Sequence, residues 1–261
     1  MELEEGLVIP GDTISCPVGS MPGFGTFEDN GQIVANTMGY PAMYNKLVCV
    51  NALKGRYQGE TGNVVIGRIS QVANNRWKVN VGSQQEAVLF LSSIDLPTGE
   101  HRIRSEADQL KMREYFNHND LMSAEVQSSK KEGKPINLQT RSAKFGKLSN
   151  GMLVRTSPML VERLKQHFLT LEIGVDLVFG RNGLIWVYYN TSEETEVPFH
   201  VRVKIIRVAN IIKLLDKAQV MVSPESIMQA YENTLHVDLE DLLTSATLAL
   251  IKESFSFCQA T

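Results

Sequence analysis

The residue types with chemistry to offer in this chain are cations set beside a flat ring. Arg76-Trp77-Lys78 places an indole between two positive side chains, and Arg68, Arg102, Arg104 and Lys144 lie in the same central stretch. Cations of this kind track phosphates, and an exposed ring beside them stacks on a base, each stack contributing roughly 1–3 kcal/mol. Residues 51–150 carry 15 Lys and Arg against 10 Asp and Glu, whereas the rest of the chain carries 11 against 19. A basic segment within a chain of net charge −3 predicts that one part faces a polyanion while the remainder faces protein or solvent. Trp77 has two readings, a base stacker or a core residue. On a strand it must face away from its two neighbours, so it is core if those cations face RNA.

Two glycine motifs invite a phosphate-binding reading. Gly180-Arg181-Asn182-Gly183 has the GxxG spacing that clamps backbone nucleotides in KH domains. The usual clamp joins two helices, but here the flanks Val175 to Phe179 and Leu184 to Tyr189 read as strands. Asn-Gly is also a strong hairpin signal, because both positions tolerate positive φ. Gly180, Asn182 and Gly183 are therefore expected to be structural. Pro22-Gly23-Phe24-Gly25-Thr26 lacks the Gly-Lys-Ser/Thr ending of a phosphate loop and no helix follows. A partner-binding or merely flexible loop is the expectation there.

Catalytic groupings do not stand out. Asp95, Glu100, Glu106 and Asp108 have no spacing typical of a two-metal nuclease, and Ser/His/Asp or Cys/His arrangements are missing from the sequence pattern. Cys16, Cys49 and Cys258 are far apart, and the five histidines are scattered without zinc-site spacing. Free thiols in a reducing compartment are expected, with no metal and no cofactor. No apolar run approaches the roughly 18 residues that span a bilayer. The opening MELEEGLVIPGD lacks a basic region before a long apolar stretch, so no secretory leader and no membrane partner are expected.

The elements that must position these residues fall into three groups. Residues 1–53 hold short β-prone pieces such as Ile33-Val34-Ala35 and Lys46 to Val50, punctuated by Pro10-Gly11-Asp12 and Gly39-Tyr40-Pro41. This reads as a small β domain. Residues 54–142 read as three strands (Val64 to Ile69, Arg76 to Val81, Ala87 to Leu91), a short helix within Ser105 to Phe116, and two more strands (Leu121 to Val126, Ile136 to Arg141). That is the order of a five-stranded S1/OB-type barrel. Lys130 to Pro135 reads as a polar hairpin tip. Residues 143–261 read as α+β with a helical tail. The pattern predicts helices from Ser157 to about His167, from Val201 to Val220, from Pro224 to Leu235 and from Leu239 to Glu253, with the acidic Ser192 to Glu196 as a loop. The fold class expected is thus multidomain β and α+β.

This order of parts, together with Val8-Ile9-Pro10-Gly11-Asp12-Thr13-Ile14, Gly23-Phe24-Gly25-Thr26, Asn45 to Val50, Val65-Ile66-Gly67-Arg68-Ile69, Leu91-Ser92-Ser93, Leu96 to Glu100, Lys144 to Leu148 and Gly180 to Trp186, resembles the cap subunits of the RNA exosome. The likeness is to the ribosomal RNA-processing protein 4 family and covers roughly residues 5–190. It implies a non-catalytic subunit that sits on a ring of RNase PH-type proteins beside other cap subunits and guides single-stranded RNA 3′ ends into the channel for processing and decay. It implies the nucleus, nucleolus and cytoplasm as locations. By the same resemblance, Gly23, Phe24, Gly25 and Thr26 contact the ring. Arg68, Arg76, Lys78, Arg102, Arg104 and Lys144 face RNA at the channel mouth, and Arg181 adds a further RNA contact. The rivals are the sister S1/KH cap subunit, disfavoured by Leu91 to Glu100, a hydrolytic nuclease acting alone, and a stand-alone RNA-binding scaffold.

Overall fold

The computed structural model describes residues 6–52, 55–94, 106–129, 135–190 and 197–256. The chain forms two compact units, residues 1–55 and 56–261.

The first unit is built from short strands: β1 (Met21–Pro22), β2 (Thr26–Asp29), β3 (Gln32–Ala35), β4 (Gly39–Tyr44) and β5 (Leu47–Ala52). One sheet has the order β1-β5-β4, and β2 pairs with β3 as a hairpin. The hairpin turns at Asn30 and Gly31, with φ of 50° and 78°, the left-handed pair that a two-residue turn demands. Ile14, Ile33, Ala35, Val48 and Val50 form its small core.

The second unit opens with a closed barrel. Its strands are β6 (Val64–Ala73), β7 (Arg76–Asn80), β8 (Ala87–Ile94), β9 (Leu121–Ser128) and β10 (Ile136–Thr140), with two short helices, α1 (Glu106–Leu110) and α2 (Met112–Tyr115), between β8 and β9. β6 pairs with β7 and β9, β7 with β8, β8 with β10 in parallel, and β9 with β10, which closes the ring. Alternation on β7 buries Trp77 and Val79 and turns Arg76, Lys78 and Asn80 outward. Trp77 is fully buried, donates its indole N–H to the Phe116 carbonyl at 3.1 Å, and meets the Phe116 ring edge-on. The stacker reading of Trp77 is thereby corrected: barrel closure places it in the core. Gly67 is needed for close approach, since a Cβ there would lie 2.3 Å from the Val79 side chain.

After β11 (Gly146–Lys147), which adds to β9, the chain builds an antiparallel sheet from β12 (Gly151–Arg155), β13 (Phe168–Thr170), β14 (Asp176–Phe179) and β15 (Leu184–Tyr188) in the order β12-β15-β14-β13. One face packs under α3 (Phe199–Ala218), whose buried Val201, Ile205, Val208, Ile212 and Leu215 recur at helical spacing. The helix stops where Gln219 turns left-handed at φ 58°. α4 (Pro224–Asn233) starts with a capping box between Ser223 and Ser226, and α5 (Ser245–Ser256) closes the described chain. The other sheet face meets the barrel: Ile66 of β6 is buried with Val178, Leu184 and Trp186. β6 thus points Val65 and Ile69 into the barrel and Ile66 into the sheet. Burial on both faces is why this strand reads as a continuous apolar run rather than an alternating one.

Two helix expectations need correction. From Ser157 onward there is only a 3-10 turn, Pro158–Leu160. Val161 then bridges Val222 in parallel, and the Val222 N–H donates to the Leu160 carbonyl, so the backbone pairs outward instead of with itself. Phe168 to Thr170, which follows directly, is an edge strand against β14. The last helix begins at Ser245 rather than Leu239, after a separate 3-10 turn at Asp241–Leu243. Leu96 to Gly99, Lys130 to Lys134, Ser192 to Glu196 and Cys258 lie outside the described residues.

Candidate nucleic-acid interface

The outer face of β7 and β8 carries two cations, Arg76 and Lys78, on the side of the strand that faces away from the barrel core. Register sets Arg76 opposite Phe90 and Lys78 opposite Val88. Because Leu89 and Leu91 fill the barrel, Val88 and Phe90 must face outward, and Phe90 is only half-buried beside Arg76. Two shallow hollows flank this pair. One is lined by Ala73, Asn74, Arg76 and Phe90, and the other by Arg76, Lys78, Gln84, Gln85, Glu86, Val88 and Pro135. Arg76 borders both. The sequence reading missed Phe90 inside an apolar run; counting parity from Leu89 would have found it.

The remaining cations divide. Lys78 is paired with Glu86 at 3.4 Å, an exposed contact worth little. Arg68 is exposed and sits opposite Asn80, at the other end of β7 from Arg76, about 13 Å away at the strand's rise of roughly 3.3 Å per residue. Lys144 is exposed but lies on the segment leading into β11, at the seam between the barrel and the second sheet. Arg102 and Arg104 lie outside the described residues.

Arg181 is committed inside the fold. Its guanidinium donates to the Val161 carbonyl and its backbone N–H to Val64 at 2.9 Å. Burial, and the nearby Arg163, push its pKa down. The rest of that loop is equally occupied. Asn182, 5% exposed, donates from Nδ2 to the carbonyls of Ile66 and Val81, both at 2.7 Å, while its Oδ1 accepts from the Ile66 N–H at 3.3 Å. Gly183 needs φ +77°, and a Cβ on Gly180 would lie 2.5 Å from Asn182 Oδ1. The loop links two antiparallel strands, β14 and β15, and is filled by the barrel's own backbone. Nearby, burial lowers the pKa of His167, against the pull of the Phe179 carbonyl that its Nδ1 meets at 3.0 Å.

In the first unit, Gly23 to Thr26 form a tight, built turn. The Thr26 hydroxyl donates to the Val48 carbonyl at 2.9 Å and accepts from the Gly23 N–H at 2.8 Å. Gly25 has φ +77°, and a Cβ on Gly23 would lie 2.4 Å from Cys49 Sγ. The Phe24 carbonyl accepts from Val50, which leaves the ring held outward at 57% exposure. Cys16 and Cys49 are free thiols. Among the described residues, no group of three or more His, Cys, Asp and Glu could hold a metal ion, and no helix is long and apolar enough to cross a membrane.

Comparison with known proteins agrees with this architecture. Residues 56–128 match the family described as "RRP4, S1 domain", and residues 151–193 match a KH domain. The mouse protein named exosome complex component RRP4 is 42% identical over 91% of this chain and 84% of its own length. The Saccharomyces cerevisiae protein of the same name is 32% identical over 90% and 78%. The fold is shared with the crystal structure of a "putative exosome complex RNA-binding protein", at 21% identity and TM-score 0.50, over 70% of this chain and 99% of that one. With its barrel, its sheet and identity of this extent along nearly the whole chain, the protein belongs to the exosome complex component RRP4 family.

Proposed function

We propose that the chain is a non-catalytic, RNA-binding cap subunit of an intracellular exosome that leads single-stranded RNA toward a 3′→5′ exoribonuclease channel. We divide it for this role at residues 1–53, 54–142 and 143–261. The observation that carries the reading is the outward row of Arg76 and Lys78 beside half-buried Phe90 on a barrel of this family. A cation next to a ring suits a strand whose bases are splayed and whose phosphates pass by, without base-specific readout. In an OB-type barrel this is the face that takes oligonucleotides. Arg68, Arg102 and Arg104 are assigned to the same path, while Arg181 is left out because the fold already uses it.

The first unit is assigned to the ring of RNase PH-type subunits. Phe24, Phe27, Met21, Tyr40, Tyr44 and Leu47 are all large and at least 39% exposed on a unit of 55 residues. So much exposed apolar surface on so small a body fits a permanent protein contact. Reconstitution tests both halves of the proposal. The chain mixed with ring and cap subunits should elute as one assembly and raise the assembly's RNA affinity. A chain that elutes alone at moderate salt, or that degrades RNA by itself with Mg²⁺, would overturn it.

A further inference from the structure

The seam between barrel and sheet is not fully closed. Where Ile66, Leu121 and Leu148 stop covering the sheet face, a slot of about 180 Å³ remains. Its walls are Phe168 of β13, Trp186 and Tyr188 of β15, and Lys144 and Lys147 before and on β11. The volume is below the roughly 300 Å³ at which pockets that enclose a cofactor begin, so the slot suits one planar group. Phe145 fixes one wall by meeting the Phe168 ring edge-on at 5.5 Å. Lys147 is held by Asp120 at 2.8 Å, whereas Lys144 is exposed at the rim. Trp186 is 5% exposed and lines the slot beside Tyr188.

We propose that this slot takes one base of a single-stranded RNA, stacked against Tyr188 and Phe168 with its phosphate at Lys144, as a second contact separate from the β7–β8 face. An RNA strand fits the observations better than a protein segment. A lysine at the rim of an aromatic slot supplies both things a nucleotide needs, a π face and a phosphate partner. The inference rests on the RNA-binding reading above.

The test uses the full chain with a fluorescently labelled twelve-nucleotide oligouridylate. Tyr188→Leu should weaken binding by about 5- to 150-fold, the range of one lost stack of roughly 1–3 kcal/mol. Lys144→Ala, an exposed change that leaves the fold intact, should reduce the slope of log affinity against log salt by about 0.7, the value for one phosphate on a single strand. Photo-crosslinking with 4-thiouridine should label Phe168, Tyr188 or their neighbours. Wild-type affinity in both variants, or crosslinks confined to residues 68–90, would overturn the second site while leaving the barrel face standing. No binding by the unaltered chain would overturn the RNA-binding reading and this inference together.

Discussion

One side chain satisfies both backbone polar groups of one residue: the Asn182 carboxamide accepts from the N–H of Ile66 and donates to its carbonyl. β7 ends at Asn80, and β6 continues past it toward Val64 without a partner on that edge. Asn182 occupies the position in the ladder that a longer β7 would have filled, and Arg181 extends it through its backbone bond to Val64. The second sheet is thereby fastened to the barrel by hydrogen bonds as well as by Ile66 packing on Trp186.

Asn182→Ala removes the three side-chain bonds to Ile66 and Val81 and leaves two carbonyls and one N–H unmet in a buried place. The expected loss is about 3 kcal/mol, since each buried orphan costs roughly 1–3 kcal/mol and part of the gap relaxes. Asn182→Asp should be no better, because a carboxylate cannot donate to Ile66 and Val81. Urea unfolding followed by circular dichroism measures this. RNA affinity per folded molecule should be unchanged, which separates a fastener from a phosphate clamp.

Trp77 and its two neighbours should split cleanly into stability and binding. Trp77→Phe strands the Phe116 carbonyl and leaves a cavity, so stability should fall by about 2 kcal/mol with little change in RNA affinity at low temperature. Arg76→Ala and Phe90→Leu should leave the melting temperature within a degree or two and weaken RNA binding. Paired thermal melts and binding isotherms on the same preparations check both.

The Gly23 to Thr26 turn should behave in the same divided way. Gly25→Ala forces a side chain into φ +77° and against Thr37 Oγ1 at 2.5 Å, costing about 1–2 kcal/mol from the backbone alone. Phe24→Ala removes an exposed ring, so stability should stay within about 0.5 kcal/mol. Association with ring subunits should nonetheless weaken, measured by co-elution or surface plasmon resonance.

His167 gives the fold a pH dependence. Its pKa is lowered from 6.5 in the folded chain, first by burial and then by Arg181. The unfolded state therefore binds more protons around that pH, and stability rises with pH there. The contribution is fully present above pH 6.5 and is lost as pH falls toward the lowered value. The melting temperature should drop between pH 7.5 and 5.5, and His167→Asn should flatten that drop.

Much of the barrel was legible because alternation and turn residues act locally: Arg76 to Asn80 and Leu121 to Val126 declare their faces without tertiary help. The errors arose where a partner distant in sequence decides. Leu160, Val161 and Leu164 have helical spacing, but Val222 captures the backbone of Val161. Gly180 to Gly183 could be read as a hairpin from Asn-Gly, yet nothing in the local sequence shows that Ile66 and Val81, a hundred residues earlier, fill it. Phe90 was hidden because β8 is apolar on both faces. The slot at Lys144 was invisible, since four separate segments build it.

The central claim is that the outer face of β7 and β8 carries RNA. It is tested most directly by binding a labelled single-stranded oligonucleotide to the assembled complex containing Arg76→Ala/Lys78→Ala, over a salt series. The account predicts tight binding by the unaltered complex with a steep salt slope, and in the variant at least a tenfold loss at low salt with the slope reduced by about 1.4, two phosphates at roughly 0.7 each. Equal affinity and equal slope in the two complexes would contradict it.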